Sequence, residues 1–130
     1  MWYKMIELRH STLQNVLIGL FLGRQKNYYP NKPYSGLQLS WCWWKYLIKA
    51  DGVVVNLGSH PWVEQPNCTG MYVLTLSSND TNQKGVLTIY IHDESFLGIP
   101  VVQQFMVINQ NVYDSKYGNE LLEVTKAKDF

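Results

Sequence analysis

The chain has 130 residues, 46% hydrophobic and 16% charged, with a formal net charge of +1. That length makes one domain, able to bury a core without a disulfide or a metal to hold it. Its scattered Lys and Arg exclude the clustered basic stripe of a nucleic-acid binder. Nine Tyr, five Trp and four Phe against so few charges fit a β domain with a large contact surface better than a free enzyme.

Residues 5–10 alternate, with Ile6 and Leu8 on one face and Glu7 and Arg9 on the other, which predicts a half-buried strand. Residues 13–22 form the most apolar window, far short of a membrane span and without a signal-cleavage pattern, so no membrane is expected. Within it, Val16, Ile18, Leu20 and Leu22 oppose Leu17 and Phe21, predicting a buried strand where Gly19 marks a bulge or a close backbone approach. Pro30, Asn31, Pro33 and Gly36 make residues 27–36 a loop. Residues 37–48 predict a long strand, with Leu37, Leu39, Trp41, Trp43 and Leu47 on one face and Cys42, Trp44, Tyr46 and Ile48 on the other.

Ala50-Asp-Gly52 predicts the turn of a hairpin into residues 53–57, and residues 58–69, with Pro61 and Pro66, are read as loop. Three further β-type runs follow at 70–76, 86–92 and 101–108, the first two separated by the polar loop 77–85. Residues 109–118 predict a short helix, with Asn109 or Asn111 as N-cap and Gly118 just past its end. About seven or eight short strands and no long amphipathic helix predict an all-β chain, an immunoglobulin-like antiparallel β-sandwich spanning 1–130 as one domain.

Chemistry-bearing patterns are sparse. His10, His60 and His92 are far apart with no H-x-H or H-E-x-x-H, and His92-Asp-Glu94 reads as an exposed corner at a strand end, so no metal is expected. No Gly-rich phosphate loop precedes a helix and no G-x-S-x-G presents a serine, so neither a cofactor nor a catalytic residue is expected. Cys42 and Cys68 lack C-x-x-C spacing; they are two small buried thiols or a disulfide pair. Asn67-Cys-Thr69 and Asn79-Asp-Thr81 match the glycosylation sequon, which has meaning only in a secreted eukaryotic protein. Asn79, Asp80 and Asn82 have the oxygens a calcium ion would take, but these residue types are common turn formers, and a structural corner is the expectation.

Trp41-Cys-Trp-Trp44 carries more information. A sandwich strand normally turns a polar face to water, yet large apolar side chains stand on both faces of this run. Either the chain covers both faces itself, or one meets another molecule. Tyr34, Trp41, Trp43, Trp44 and Tyr46 are the candidate interface residues, with a carbohydrate platform built on the same tryptophans as the alternative.

Several segments, in order, resemble a group of small tailed-bacteriophage virion modules. Ile6-Glu-Leu-Arg-His-Ser-Thr12 and Val16-Leu-Ile-Gly-Leu-Phe21 resemble their opening. Gly70-Met-Tyr-Val-Leu-Thr-Leu76, Asp80-Thr81, Gly85-Val-Leu-Thr-Ile89 and Leu97-Gly-Ile-Pro-Val-Val102 resemble their body, and Phe105-Met-Val107 and Asn111-Val-Tyr-Asp114 their end. The resemblance covers about Met5 to Val124 and implies a β-sandwich with a non-enzymatic role in the virion, assembled in the host cytoplasm. The implied partners are other virion structural proteins at tail, neck, fibre base or head surface, with several copies or a homo-oligomer in the particle. Residues 27–44 depart from the pattern in their Tyr- and Trp-rich text, and no fibre shaft follows Val124, so an adaptor or decoration piece is expected rather than a whole fibre.

Overall fold

Alternating side chains place one residue in two on each face of a strand, and two such faces bury each other when sheets stack. The computed structural model describes residues 5–23, 32–33, 35–92 and 100–118. Its strands are β1 (Ile6–Arg9), β2 (Gln14–Ile18), β3 (Leu22–Gly23), β4 (Lys32–Pro33), β5 (Trp44–Ile48), β6 (Val54–Asn56), β7 (Trp62–Glu64), β8 (Tyr72–Leu76), β9 (Gly85–His92) and β10 (Val101–Ile108), followed by the helix α1 (Gln110–Tyr117). One sheet has the order β1-β10-β9-β5-β6, a second β2-β8-β7, and β3 pairs β4 in a short ribbon. Leu8, Leu47, Leu87, Ile89, Ile91, Phe105 and Val107 of the first sheet join Val16, Ile18, Tyr72, Leu74 and Leu76 of the second in one buried core. The chain is an all-β sandwich with one short C-terminal helix.

Four expectations are corrected. The sandwich is not wholly antiparallel, because β1 runs parallel to β10 with Ile6 opposite Phe105 and Arg9 opposite Ile108. Strands so distant in sequence are not joined by a tight turn, so nothing forces the antiparallel sense. Residues 37–48 are not one strand: Leu39–Trp41 is a 3₁₀ turn, and β5 begins only at Trp44. Leu37, Leu39, Cys42 and Leu47 are buried, whereas Trp41 and Trp43 are exposed, so the two-residue period fails before Trp44. The apolar run after Asn15 also ends early. Val16, Ile18 and Phe21 go inward, but Leu17 and Leu20 face outward. Finally, β7 occupies part of the stretch read as loop, between Pro61 and Pro66.

Two glycines answer to geometry. At Gly19 (φ 150°) an added Cβ would stand 2.6 Å from Met71 Sδ and 2.7 Å from the Gly70 carbonyl oxygen, the close backbone approach anticipated there. Gly52 (φ 87°) closes the β5–β6 hairpin, its N–H donating to Lys49 O at 2.9 Å.

The loop between β8 and β9 carries the chain from one sheet to the other, and its corner is built from buried polar groups. Asp80 Oδ2 accepts from the Ser77 amide at 2.7 Å and lies 2.7 Å from His60 Nε2. Thr81 O accepts from the Ser11 amide, and its hydroxyl oxygen accepts from the Thr12 amide at 3.1 Å. These bonds tie the loop to the β1–β2 corner, the structural role expected of it. Cys42 is buried and Cys68 exposed, and the two are not bonded to each other.

Candidate docking face

Because Leu47, Leu87, Ile89, Ile91, Phe105 and Val107 point into the core, the alternate residues of their strands form the outer face of the five-stranded sheet. Strand register arranges them in rows. Trp44 lies opposite His92; Asn56, Tyr46, Tyr90 and Val102 form the next row; Val54, Ile48, Thr88 and Gln104 form the third. None of these residues is Asp, Glu, Lys or Arg. A solvent-facing sheet surface normally carries polar residues, many of them charged. Here only neutral amides, hydroxyls and one imidazole interrupt the apolar surface, and Gln104 Nε2 donates to Thr88 Oγ1 at 3.3 Å, so part of that polarity is satisfied internally.

Cross-strand pairing explains the aromatic corner. Directly opposite residues have Cβ atoms about 5 Å apart, and the Trp44 and His92 rings stack with centroids 5.4 Å apart and planes 17° from parallel. Trp43 leans against Trp44 at 6.2 Å and 44°, and is 66% exposed. Val102 (62%) and Val54 (57%) are also well exposed.

Of the candidate interface residues, Trp44 and Tyr46 lie on this face, and Trp43 adjoins it through Trp44. Trp41 lies in the 3₁₀ turn, and Tyr34 falls outside the described residues. The sequence reading missed Tyr90, Val102, Val54 and Thr88, which only strand register brings beside Tyr46. His92, read as part of an exposed corner at a strand end, does end β9 but is half-buried and stacked on Trp44; Asp93 and Glu94 fall outside the described residues.

Elsewhere, aromatics serve the interior. Trp62 stacks on Tyr72 at 4.8 Å, and Phe21 meets both rings edge-on. The Tyr72 hydroxyl accepts from the Leu37 amide at 2.9 Å, and Trp62 Nε1 donates to Leu37 O at 2.9 Å. Burial pushes the Tyr72 hydroxyl above the ordinary phenol value, which the bond from Leu37 partly offsets.

His60 and Asp80 form a close pair, but Nδ1 of His60 is buried without a hydrogen-bond partner and Asp80 Oδ2 is committed to the Ser77 amide. An open hollow beside the start of α1 is lined by His10, Asn109, Gln110, Asn111 and Val112, and His10 Nε2 already lies 3.1 Å from Asn82 O. Among the described residues, no group of three or more His, Cys, Asp or Glu converges, and no helix is long and apolar enough to cross a membrane.

No protein-family model, curated protein or solved structure matches the chain. The likeness to virion modules therefore rests on the sequence segments alone.

Proposed function

We propose that this chain is a non-enzymatic docking module that binds other proteins through the outer face of its five-stranded sheet. The charge-free rows from Trp44/His92 to Val54/Gln104 carry that reading. Three rows over four strands extend about 14 Å in each direction between Cα atoms. With its side chains and Trp43, the face amounts to several hundred Å², the size of the largest patches on monomers, which are often functional. It is smaller than the roughly 800 Å² per partner of a stable pairwise complex. A face of that size suits a contact repeated in many copies, where linked sites raise the total affinity.

The partners we propose are structural proteins of a bacteriophage particle, at tail, neck, fibre base or head surface. This part of the proposal is supported by the ordered sequence segments from Met5 onward. An immunoglobulin-like assignment is proposed on similar terms. Its support is strand order, a β2-β8-β7 sheet against a sheet containing β10, β9 and β5, the division such sandwiches use. Protein analysis of washed virions is the direct test. Presence of the chain in fixed ratio to the other structural proteins is expected, and its absence would sink the virion proposal.

Protein docking is preferred to the carbohydrate alternative on ring geometry. A sugar platform needs aromatic faces open side by side, whereas one face of Trp44 is taken by His92 and Trp43 is tilted 44° against Trp44. Binding of the isolated protein on a glycan array would reverse that preference.

A further inference from the structure

We propose that α1 is a strap, opening separately from the sandwich, which covers the β1 end of the outer face and enlarges the docking surface when released. The last clause rests on the docking reading above; the strap itself does not.

The helix has eight residues, well below the roughly 12–15 at which an isolated helix becomes even marginally stable, so its order comes from what it touches. No residue of α1 is fully buried, and Val112 and Tyr117 are exposed. Its attachment to β1 is polar. Arg9 Nε and Nη2 donate to Asp114 Oδ1 and Oδ2 at 2.9 and 3.0 Å. Lys116 Nζ donates to both Glu7 oxygens at 3.0 Å, and the Tyr117 hydroxyl donates to Glu7 Oε1 at 2.7 Å. Gln110 Nε2 donates to His10 O at 2.9 Å. Glu7, Arg9 and His10 of the β1 segment thus meet Gln110, Asp114, Lys116 and Tyr117 of the helix, and this set holds every charged side chain of both elements. Arg9, Asp114 and Lys116 are 30–43% exposed, and ion pairs made by side chains so open to water are individually weak and screened by salt. The neighbouring strands β9 and β10, by contrast, are pinned by Leu87, Ile89, Ile91, Phe105 and Val107 in the core. Local opening follows such differences in buried apolar contact.

The strap covers a carboxylate on the outer face. Glu7 is on the outward side of β1, yet its side chain is only 12% exposed with Lys116 and Tyr117 bonded to it. Its register neighbour is Met106 and that of Arg9 is Ile108, both half-buried on the same face. Release would uncover Glu7 beside Met106, at the edge where the charge-free rows end, and leave Glu7 and Arg9 as a charged margin. An apolar centre with a polar rim is the layout of a protein interface.

The test is amide hydrogen exchange on the full chain at about 0.05 M and 1 M NaCl, repeated with Asp114→Asn/Lys116→Gln, whose changes lie on the helix surface and spare the core. Amides of α1 are expected to exchange roughly a hundredfold faster than those of β9 and β10, and faster still in high salt and in the variant, with β9 and β10 unchanged. Carbodiimide labelling of the Glu7 carboxylate is expected to rise severalfold in the variant. Equal protection of α1 and β10 would overturn the strap, and so would a variant that loosens β9 and β10 to the same degree. Unchanged labelling of Glu7 with α1 open would overturn the covering. Neither measurement involves a partner, so a failure of the docking reading would show separately, as a variant whose strap opens while no virion protein is retained.

Discussion

Tyr72 does two jobs with one side chain. Its ring stacks on Trp62 inside the core, and its hydroxyl is the acceptor for the buried Leu37 amide where the chain enters the 3₁₀ turn. Tyr72→Phe keeps the stack and orphans that amide, which costs about 1–3 kcal/mol. Urea unfolding should show the loss, with faster exchange at Leu37; an unchanged midpoint would mean that the hydroxyl bond is not formed in solution. Asp80 is a similar case, since one carboxylate oxygen serves both the Ser77 amide and His60. Asp80→Ala leaves two half-buried polar groups without that acceptor, and we expect a loss of about 1–3 kcal/mol. Thermal denaturation checks it, and a melting temperature equal to wild type would refute the structural role given to this corner. At Gly19 even Ala would be resisted, because the Gly70 carbonyl that its Cβ would meet is backbone and cannot swing aside.

At the scale of elements, α1 gives a pH dependence whose sign can be worked out. Hydrogen bonds from Arg9 hold Asp114 below the ordinary carboxyl value of 3.8; burial opposes them, and the positive charge of Arg9 adds a lesser lowering effect. A carboxylate lowered in the folded state contributes stability above its unfolded pKa, and that contribution is lost as pH falls through the folded value. Helix protection from Asp114 should therefore be flat from neutral pH down to the region of 3.8 and decline below it, and Asp114→Asn should remove this step. A carboxyl titration of Asp114 by NMR at or above 3.8 would contradict the pairing. Elements of this size were unevenly legible in the sequence. Where aromatic and β-branched residues run together between a glycine and a serine-rich loop, as in Tyr72–Leu76, the strand could be read. Trp41-Cys-Trp-Trp44 has no contrast of apolar and polar residues, so alternation could not tell that Cys42 goes in while Trp41 and Trp43 stay out. The strand Trp62–Glu64 was hidden because it is three residues long between prolines, and its partner Tyr72–Leu76 supplies its hydrogen bonds.

For the molecule as a whole, the outer face is a property of register rather than of any segment. Trp44 and Tyr46 were visible as candidates in the text of the chain, but Tyr90, His92, Val102 and Val54 join them only because β6, β5, β9 and β10 pair as they do. That origin separates stability from docking. Val54 and Val102 are more than half exposed, so Val54→Lys and Val102→Glu should change folding stability by no more than about 0.5 kcal/mol. The same charges, placed inside a face that a partner covers, would have to be desolvated without a counter-charge, which is costly in any interface centre. Trp43→Glu tests the aromatic margin in the same way, and Trp44→Glu adds the loss of the His92 stack. We expect each of the four to fold, and each to lower incorporation into washed particles at least tenfold, a change of about 1.4 kcal/mol in contact energy. Ser78→Glu, at an exposed loop position, should incorporate as wild type does. If all four face variants assemble normally beside that control, the charge-free rows are not the docking surface. If instead they unfold, the face is bearing on the sandwich itself, and its lack of charge belongs to stability.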